Sequence, residues 1–323
     1  MCSNKYLLKV FHSISEFSCA KKTVVTLGTF DGVHLGHQRI INRLLNSTQN
    51  NSLESVVLTF SQHPRSVLQS ESSIKLLNTN DEKIALLEKK GIDNLIIHTF
   101  DTNFSELTGE EFVKTVLVEK LKIQKIIIGY DHRFGKNRAS DIHDLLYFGK
   151  KYHFDVEQIS AKEIDEISIS STKTRAAIDN GNMKLANQYL GYQYSFTGKV
   201  VVGKQLGSTI GFPTANISIE NSAKIIPKNG VYIVEGSWQG KTHQGMMNIG
   251  TNPTVGGKST TIETHFFDVN QDLYHLNLTI SVHEFIRDEI KFNSIDELKI
   301  QLQKDKKASM HYFSSLNEIN TKL

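Results

Sequence analysis

Near Tyr192 the hydrophobic pattern of this 323-residue chain changes period, and that change limits the possible architectures more than any other feature. Upstream, apolar runs of strand length (Thr23–Leu27, Ser55–Phe60, Asn94–Phe100, Lys125–Tyr130, Asp155–Ile159) alternate with segments whose apolar residues fall at three- and four-residue steps. Those segments, His34–Leu45, Asp81–Lys90, Gly109–Leu121 and Asp141–Tyr152, are expected as helices. Strand–helix alternation of this kind implies a parallel sheet covered on both faces. Ala176–Asn180 and Asn182–Leu190 are expected as a short helical pair closing this half.

Downstream the period is two. Phe196–Val202, Gly230–Trp238, Lys241–Ile249, Thr261–Val269 and Leu273–Val282 are expected as strands, with Gln239-Gly240 as a tight turn between two of them. Several short strands with little helix imply a small antiparallel barrel. Ser294-Ile295-Asp296-Glu297 is a capping box opening a terminal helix, with Leu298 and Leu302 on its apolar face. The expected organisation is therefore an α/β domain with a covered parallel sheet over residues 1–190 and an antiparallel β-barrel with a C-terminal helix over residues 191–323.

A formal net charge of +3 with 22% charged residues argues against a dedicated nucleic-acid binder. Cys2 and Cys19 have no metal-site spacing, and the Tyr6–Phe11 run is short and interrupted by Lys9. No disulfide framework, zinc site, signal segment or membrane span is expected, and a reducing cytoplasm is the default location. Oligomeric state is not legible.

Four segments of the first half carry candidate chemistry. Gly28-Thr29-Phe30-Asp31-Gly32-Val33-His34-Leu35-Gly36-His37 runs from a strand through a glycine turn into a helix. The helix start presents unpaired N–H groups and a positive dipole end, a seat for phosphate, and His34 and His37 share one face there. Gly36 between them leaves the backbone bare. The segment Gly129 to Arg138, with Asp131, adds donors and a partner for a base, ribose or metal; Ser170 to Arg175 adds hydroxyls and two cations. His63 and Arg65 follow another strand and are surface residues or ligand contacts. For Asp31, a plain turn residue is the competing reading, and for Ser170 to Arg175 a plain helix cap.

In the second half, Thr214 and Asn216 of Gly211-Phe212-Pro213-Thr214-Ala215-Asn216 point the same way from an extended backbone. Two neutral, hard oxygen donors suit Mg²⁺ that draws its other ligands from nucleotide phosphates, although turn formation also explains the pair. Gly203, Gly207 and Gly211 punctuate a loop able to fold over phosphates. Glu263 interrupts an apolar strand and is either a base for a hydroxyl nucleophile or a solvent-face residue. His265 has no role on this reading.

Taken together these segments resemble the bifunctional bacterial riboflavin kinase/FAD synthetases, from about Thr23 to Asp305. Gly28 to His37 is similar to the family's GxFDGxHxGH, Gly129 to Arg138 to its glycine-rich loop, and Ser170 to Arg175 to its SSTxxR. Gly207 to Asn216 resembles LGRTIGFPTAN, Asn248 to Thr254 resembles NIGxxPT, and Glu263-Thr264-His265 resembles its ExH strand. The resemblance implies a Rossmann-like nucleotidyltransferase domain joined to a six-stranded Greek-key flavokinase barrel, and that the barrel converts riboflavin and ATP to FMN and ADP. It implies that the first domain converts FMN and ATP to FAD and pyrophosphate. On that pattern His34 and His37 contact ATP phosphates, with Gly28, Phe30, Asp31, Gly36, Asp131, Ser171, Thr172 and Arg175 around the nucleotide. Thr214 and Asn216 hold Mg–nucleotide, Glu263 is the base at the ribityl 5′-hydroxyl, and Gly207, Gly211 and Arg287 line the kinase site. Ser208, Lys204, Val255 and Asp131-His132 depart from the pattern. The first of these motivates a competing reading, an adenylyltransferase whose barrel only binds or regulates. A non-flavin enzyme with an RNA-binding barrel is a second competitor.

Overall fold

The computed structural model describes all residues except 1–6, 50–51, 63, 65–73, 161–168, 204, 255–256 and 322–323, together with the side chains of 206, 252–254, 257–259 and 319–321. Cys2, His63, Arg65, Lys204 and Val255 lie outside the described residues. Contacts divide the chain into two compact units, Met1–Ser171 and Thr172–Leu323.

In the first unit six strands form one sheet: β1 (Lys9–Phe11), β2 (Lys22–Leu27), β3 (Leu53–Phe60), β4 (Asn94–His98), β5 (Ile123–Gly129) and β6 (Asp155–Ile159). Their order is β1-β4-β3-β2-β5-β6, and every pairing is parallel. The continuous apolar runs are explained by the two cores they feed, since successive side chains leave a strand on opposite faces. Val24, Val57, Leu95 and Ile127 pack with Ile41 and Leu44 of α1 (Leu35–Asn46) and Leu87 of α2 (Asn80–Glu88). Val25, Val56, Ile96, Ile126 and Ile128 pack on the other face. Their helical partners are α3 (Gly109–Glu111, continued by Phe112–Lys120), through Val113 and Leu117, and α4 (Ile142–Tyr152), through Leu145 and Phe148. Each such fully buried side chain contributes about 1.5–3 kcal/mol.

Differences from the sequence reading are local. The three-residue β1 is too short for a periodic signal and enters the sheet only through β4. Phe112–Lys120 is wound as a π-helix, which side-chain spacing does not distinguish from an α-helix.

The second unit starts with helices α5 (Ser171–Asp179, whose first residue closes the first unit) and α6 (Met183–Leu190). The sequence reading placed both in the first half. In the structure Asn187 of α6 donates from Nδ2 to the carbonyls of Val282 (3.0 Å) and His283 (3.2 Å), while its Oδ1 accepts the Tyr194 N–H (2.7 Å). The pair therefore belongs to the barrel unit by contact.

The barrel closes in the order β10-β11-β8-β7-β12-β9. Its strands are β7 (Tyr194–Val201), β8 (Ala215–Ser218), β9 (Gly230–Trp238), β10 (Lys241–Thr254), β11 (Gly257–Phe266) and β12 (Asn277–Arg287). The β10–β11 hairpin runs further toward its tip than periodicity indicated, and β8 supplies the sixth strand. Arg287 is the last residue of β12. The terminal helix α7 (Ile295–Thr321) begins where the capping box predicts, with the Glu297 N–H donating to Ser294 Oγ at 3.2 Å. Leu298 and Leu302 lie on Ile210, Phe212, Met246 and Phe267.

Candidate active sites

The first site forms where the strand order reverses, beyond the carboxyl ends of β2 and β5, the usual ligand position in an open parallel sheet. The turn after β2 puts Phe30, Gly32 and Val33 at φ of +46°, +86° and +37°. For Phe30 and Val33 such backbone costs of order 1–3 kcal/mol each, so neighbours must hold it. The Thr29 carbonyl accepts Thr59 Oγ1 and Lys83 Nζ, both at 2.9 Å. Asp31 Oδ1 accepts the Leu77 and Asn78 N–H groups at 2.9 and 3.2 Å. The Asp31 carbonyl accepts Ser171 Oγ at 2.8 Å, and the Val33 carbonyl accepts Gln38 Nε2 at 2.9 Å.

His34 caps α1 instead of lying within it: its Nδ1 accepts the His37 N–H at 3.4 Å. The two imidazoles stack with centroids 3.7 Å apart, over the buried Phe30 ring 5.1 Å from His37. Burial, helped by the charges of His34 and Lys83, pushes the His37 pKa well below its ordinary value. Its Nδ1 is buried and has no hydrogen-bond partner among the described residues. Neutral imidazole at a helix start is a hydrogen-bond donor without a counter-ion requirement, suited to a charge-dispersing task.

The expected site residues divide in use. Phe30 is 1% exposed and belongs to the core, leaving its backbone for a ligand; Gly28 lies against that ring and Gly36 is buried in the first turn of α1. The Asp31 carboxylate is committed to the 77–78 backbone, which the turn reading of this residue matches. Asp131 is exposed in the turn after β5. The loop that follows it leans on the start of α3: Lys136 N donates to the Leu107 carbonyl at 2.7 Å. Ser171 reaches the histidine turn, whereas Thr172 (exposed) and Arg175 (half-buried) follow it on α5. Sequence reading missed Lys83. The signal was available: Lys83 lies one turn before buried Leu87, so a lysine occupies a position that helical spacing assigns to the core.

The second site lies across three barrel strands. Glu263 on β11 is paired with Asn248 on β10 and with Asn216 on β8, so a carboxylate sits between two amides on one face. Ile262, Thr264 and Phe266 point to the opposite face, buried. Thr214 Oγ1 donates to Glu263 Oε2 at 3.3 Å. Thr214 is delivered by a closed turn in which the Phe212 N–H donates to the Gly207 carbonyl at 2.8 Å. A side chain at 207 would meet the Phe212 carbonyl oxygen at 2.2 Å, and Gly211 turns at φ +83°.

His265 anchors the same segment, its Nδ1 lying 2.8 Å from the Pro213 carbonyl; burial lowers its pKa, so it donates there as a neutral ring. It and Asn248 are the residues sequence reading left without a role. Beside Thr214 a cavity of about 300 Å³ is lined by Val200, Pro213, Thr264, Asp272 and Tyr274, with Thr264 Oγ1 buried and unpartnered among the described residues. Its volume matches the lower end for small-molecule sites. Arg287 is engaged elsewhere: Nε and Nη2 reach the two carboxylate oxygens of buried Asp305 at 3.0 and 2.7 Å, tying β12 to α7.

Two family models match the chain, FAD synthetase over residues 16–173 and riboflavin kinase over residues 190–313. The bifunctional riboflavin kinase/FMN adenylyltransferase of Listeria monocytogenes is 37% identical over 297 residues, 91% of this chain and 94% of that one. That of Escherichia coli K12 is 34% identical over 308 residues, 95% and 97% of the two chains. A solved Streptococcus pneumoniae structure described as a macrolide-efflux protein superposes with TM-score 0.86 at 30% identity, covering 94% of this chain and 99% of its own. The chain belongs to the bifunctional riboflavin kinase/FMN adenylyltransferase family.

Proposed function

We propose that the histidine turn of residues 1–190 and the Glu263 row of residues 191–323 carry the two activities of a bifunctional flavin-cofactor enzyme. The enzyme phosphorylates riboflavin with ATP to give FMN and ADP, then adenylylates FMN with a second ATP to give FAD and pyrophosphate. The observation that carries the assignment is the carboxylate of Glu263 bonded to Thr214 and flanked by Asn216 and Asn248.

A ribityl hydroxyl is a poor nucleophile at neutral pH, so its transfer step needs a base within hydrogen-bond reach. Glu263 accepts the 5′-hydroxyl proton as the hydroxyl oxygen attacks the γ-phosphorus, and ADP departs. The Thr214 hydroxyl and the Asn216 amide oxygen, beside the Glu263 carboxylate, are neutral hard oxygen donors, a pair that fits Mg²⁺ completed by nucleotide phosphates. Bound by these two residues, Mg²⁺ would supply charge neutralisation for the transferring and leaving phosphates. The cavity beside Thr214 has the volume for a nucleoside or ring portion of a substrate.

Adenylyl transfer makes a different demand. The FMN phosphate has a second pKa of roughly 6 and is already a nucleophile at pH 7. It needs alignment with the α-phosphorus and a seat for departing pyrophosphate, which His34, the neutral His37 imidazole, the first N–H groups of α1 and the Ser171 hydroxyl supply. No covalent enzyme intermediate arises in either step. ATP as the shared co-substrate favours a cytoplasmic location; no described helix is long and apolar enough to cross a membrane.

Chromatographic separation of FMN from FAD after incubation with ATP and Mg²⁺ tests the assignment. Riboflavin should give FMN and then FAD, and supplied FMN should give FAD with pyrophosphate. Formation of FAD from FMN but no FMN from riboflavin would reduce the barrel to a binding module.

A further inference from the structure

Lys83 has no part in the mechanism above, yet its ammonium is hydrogen-bonded to the backbone that leads into the histidine turn. It is 5% exposed, its Nζ donates to the Thr29 carbonyl at 2.9 Å and to Thr59 Oγ1 at 3.3 Å, and it borders a cavity with room for about one water, shared with Asp31, Ser61, Asn78 and Asn80. Among the described residues no carboxylate salt-bridges it; a buried ammonium so placed is costly, and a methionine of similar length would fill the same space at less cost. The carbonyl it grips belongs to the residue before Phe30, where the backbone enters its strained course toward His34.

We propose that Lys83 is a positioning residue for adenylyl transfer: as a fixed cation beneath the histidine turn it holds the Thr29 carbonyl inward, so that the N–H groups and imidazoles beyond it face the nucleotide phosphates. The proposal rests on the reading of the first half as the adenylyltransferase. Three features support it. The charge of Lys83 is felt at His37, where it helps keep the imidazole neutral. Thr59 Oγ1 already satisfies the Thr29 carbonyl, so the ammonium is not required merely to pair it. Turn, sheet and helix α2 all meet at this one nitrogen, which couples the strained backbone to a rigid core position. A cation set behind a phosphate seat matters most when negative charge moves onto the departing pyrophosphate, so its removal acts on kcat more than on KM.

Burial lowers the Lys83 pKa to about 8, against the opposing pull of Asp31. The titratable groups around it are Asp31 from the turn and His37, itself beside His34, from α1; β3 offers the uncharged Thr59 hydroxyl, and α2 itself carries Asp81, Glu82 and Glu88. Lysine charge is present below that value and lost above it. Arginine stays charged throughout.

The test measures FAD formation from FMN and ATP, with Mg²⁺, between pH 6 and 10 for the full-length wild type, Lys83→Met and Lys83→Arg. Riboflavin phosphorylation and thermal unfolding are followed on the same samples. Wild-type kcat/KM for ATP should fall above about pH 8. Lys83→Met should lose about 100-fold in kcat at pH 7, with KM for ATP within about 3-fold and no alkaline fall. Lys83→Arg should recover most of that loss and hold its rate to pH 10. Riboflavin phosphorylation should be unchanged in both. A wild-type kcat/KM for ATP that is flat from pH 7 to 10, where the free enzyme titrates, would overturn the proposal even if neither variant folds. So would a Lys83→Met enzyme of wild-type kcat, or a Lys83→Arg enzyme as slow as Lys83→Met. A wild type that makes no FAD would instead remove the adenylyltransferase reading itself.

Discussion

In the parallel-sheet unit the candidate phosphate seat is a turn with three residues at positive φ, whereas in the barrel unit the candidate base stands between two asparagines on a hydrogen-bonded ladder. The difference follows the chemistry asked of each. A seat for polyphosphate works through backbone N–H groups, so its atoms must be turned outward, and the cost of turning them is met by Thr59, Lys83, Gln38 and Ser171 from four other segments. A proton acceptor works through one side chain. Strand register is sufficient to aim it, and Thr214 completes the geometry from the next segment. One site is held by strain and its counterweights, the other by pairing.

The largest expected effects separate the two halves by activity. Glu263→Gln keeps the shape and the Thr214 contact but removes the base, so FMN formation should fall about 10³-fold or more while FAD formation from supplied FMN is unchanged. His37→Ala should do the reverse, lowering FAD formation about 10²- to 10³-fold with riboflavin phosphorylation intact. Both are read by resolving the two products in one assay. A Glu263→Gln protein that still makes FMN at the wild-type rate would break the comparison on the barrel side, and a fully active His37→Ala protein would break it on the other.

A stability prediction follows for the barrel alone. Asp305 is 1% exposed and accepts from Arg287, Gln301 and, through its carbonyl, Ser309. Asp305→Ala leaves the half-buried guanidinium without its partner and should destabilise the barrel unit by about 3 kcal/mol, measured by denaturant unfolding. If the loss is much smaller, Arg287 is free to serve a ligand and its tie to α7 is secondary.

Acid should act on the other unit. Burial drives the His37 pKa well below its ordinary value and the His132 pKa down to about 4. The unfolded chain binds protons that these rings refuse when folded, so stability is full above about pH 6.5 and falls as pH drops below it. At pH 5.5 the His132 ring costs about 1.4 kcal/mol and His37 acts in the same direction, so the first unit should melt at lower temperature than at pH 7.5 by calorimetry. An unchanged transition would place water or a counter-charge at those rings.

How far these sites could be read from sequence differs in the same way. The parallel sheet, the helices and the barrel followed from periodicity, because each side chain's burial repeats with the backbone. His34, Glu263 and Thr214 stood out as polar residues interrupting apolar or glycine-rich runs. Asn248 did not, since an asparagine at a strand position is unremarkable until the register sets it opposite Glu263. The commitment of Asp31 to the 77–78 backbone and of Arg287 to Asp305 was equally hidden, as both depend on partners 46 and 18 residues away. The helical pair before Tyr194 was assigned to the first half because helices continued the preceding pattern; only the Asn187 bonds to β12 reveal where it packs.

The smallest prediction concerns the ladder that aims Glu263. The β9–β10 hairpin turns through Gln239 at φ +50° and Gly240 at +75°, and it sets Asn248 opposite Val231. Glutamine is a poor residue for left-handed backbone, whereas asparagine tolerates it and is favoured at the first position of such a two-residue turn. Gln239→Asn should therefore stabilise the barrel unit by about 0.5 kcal/mol, seen as a small rise in its denaturant midpoint, with both activities unchanged. The activity half of that expectation is the sharper one. Register in a closed barrel is fixed by every strand pair at once, so relieving one turn cannot move the carboxylate relative to its asparagines. A change in FMN formation with Gln239→Asn would mean that the ladder is softer than its pairing implies, and that the barrel site, like the histidine turn, depends on strain held at a distance.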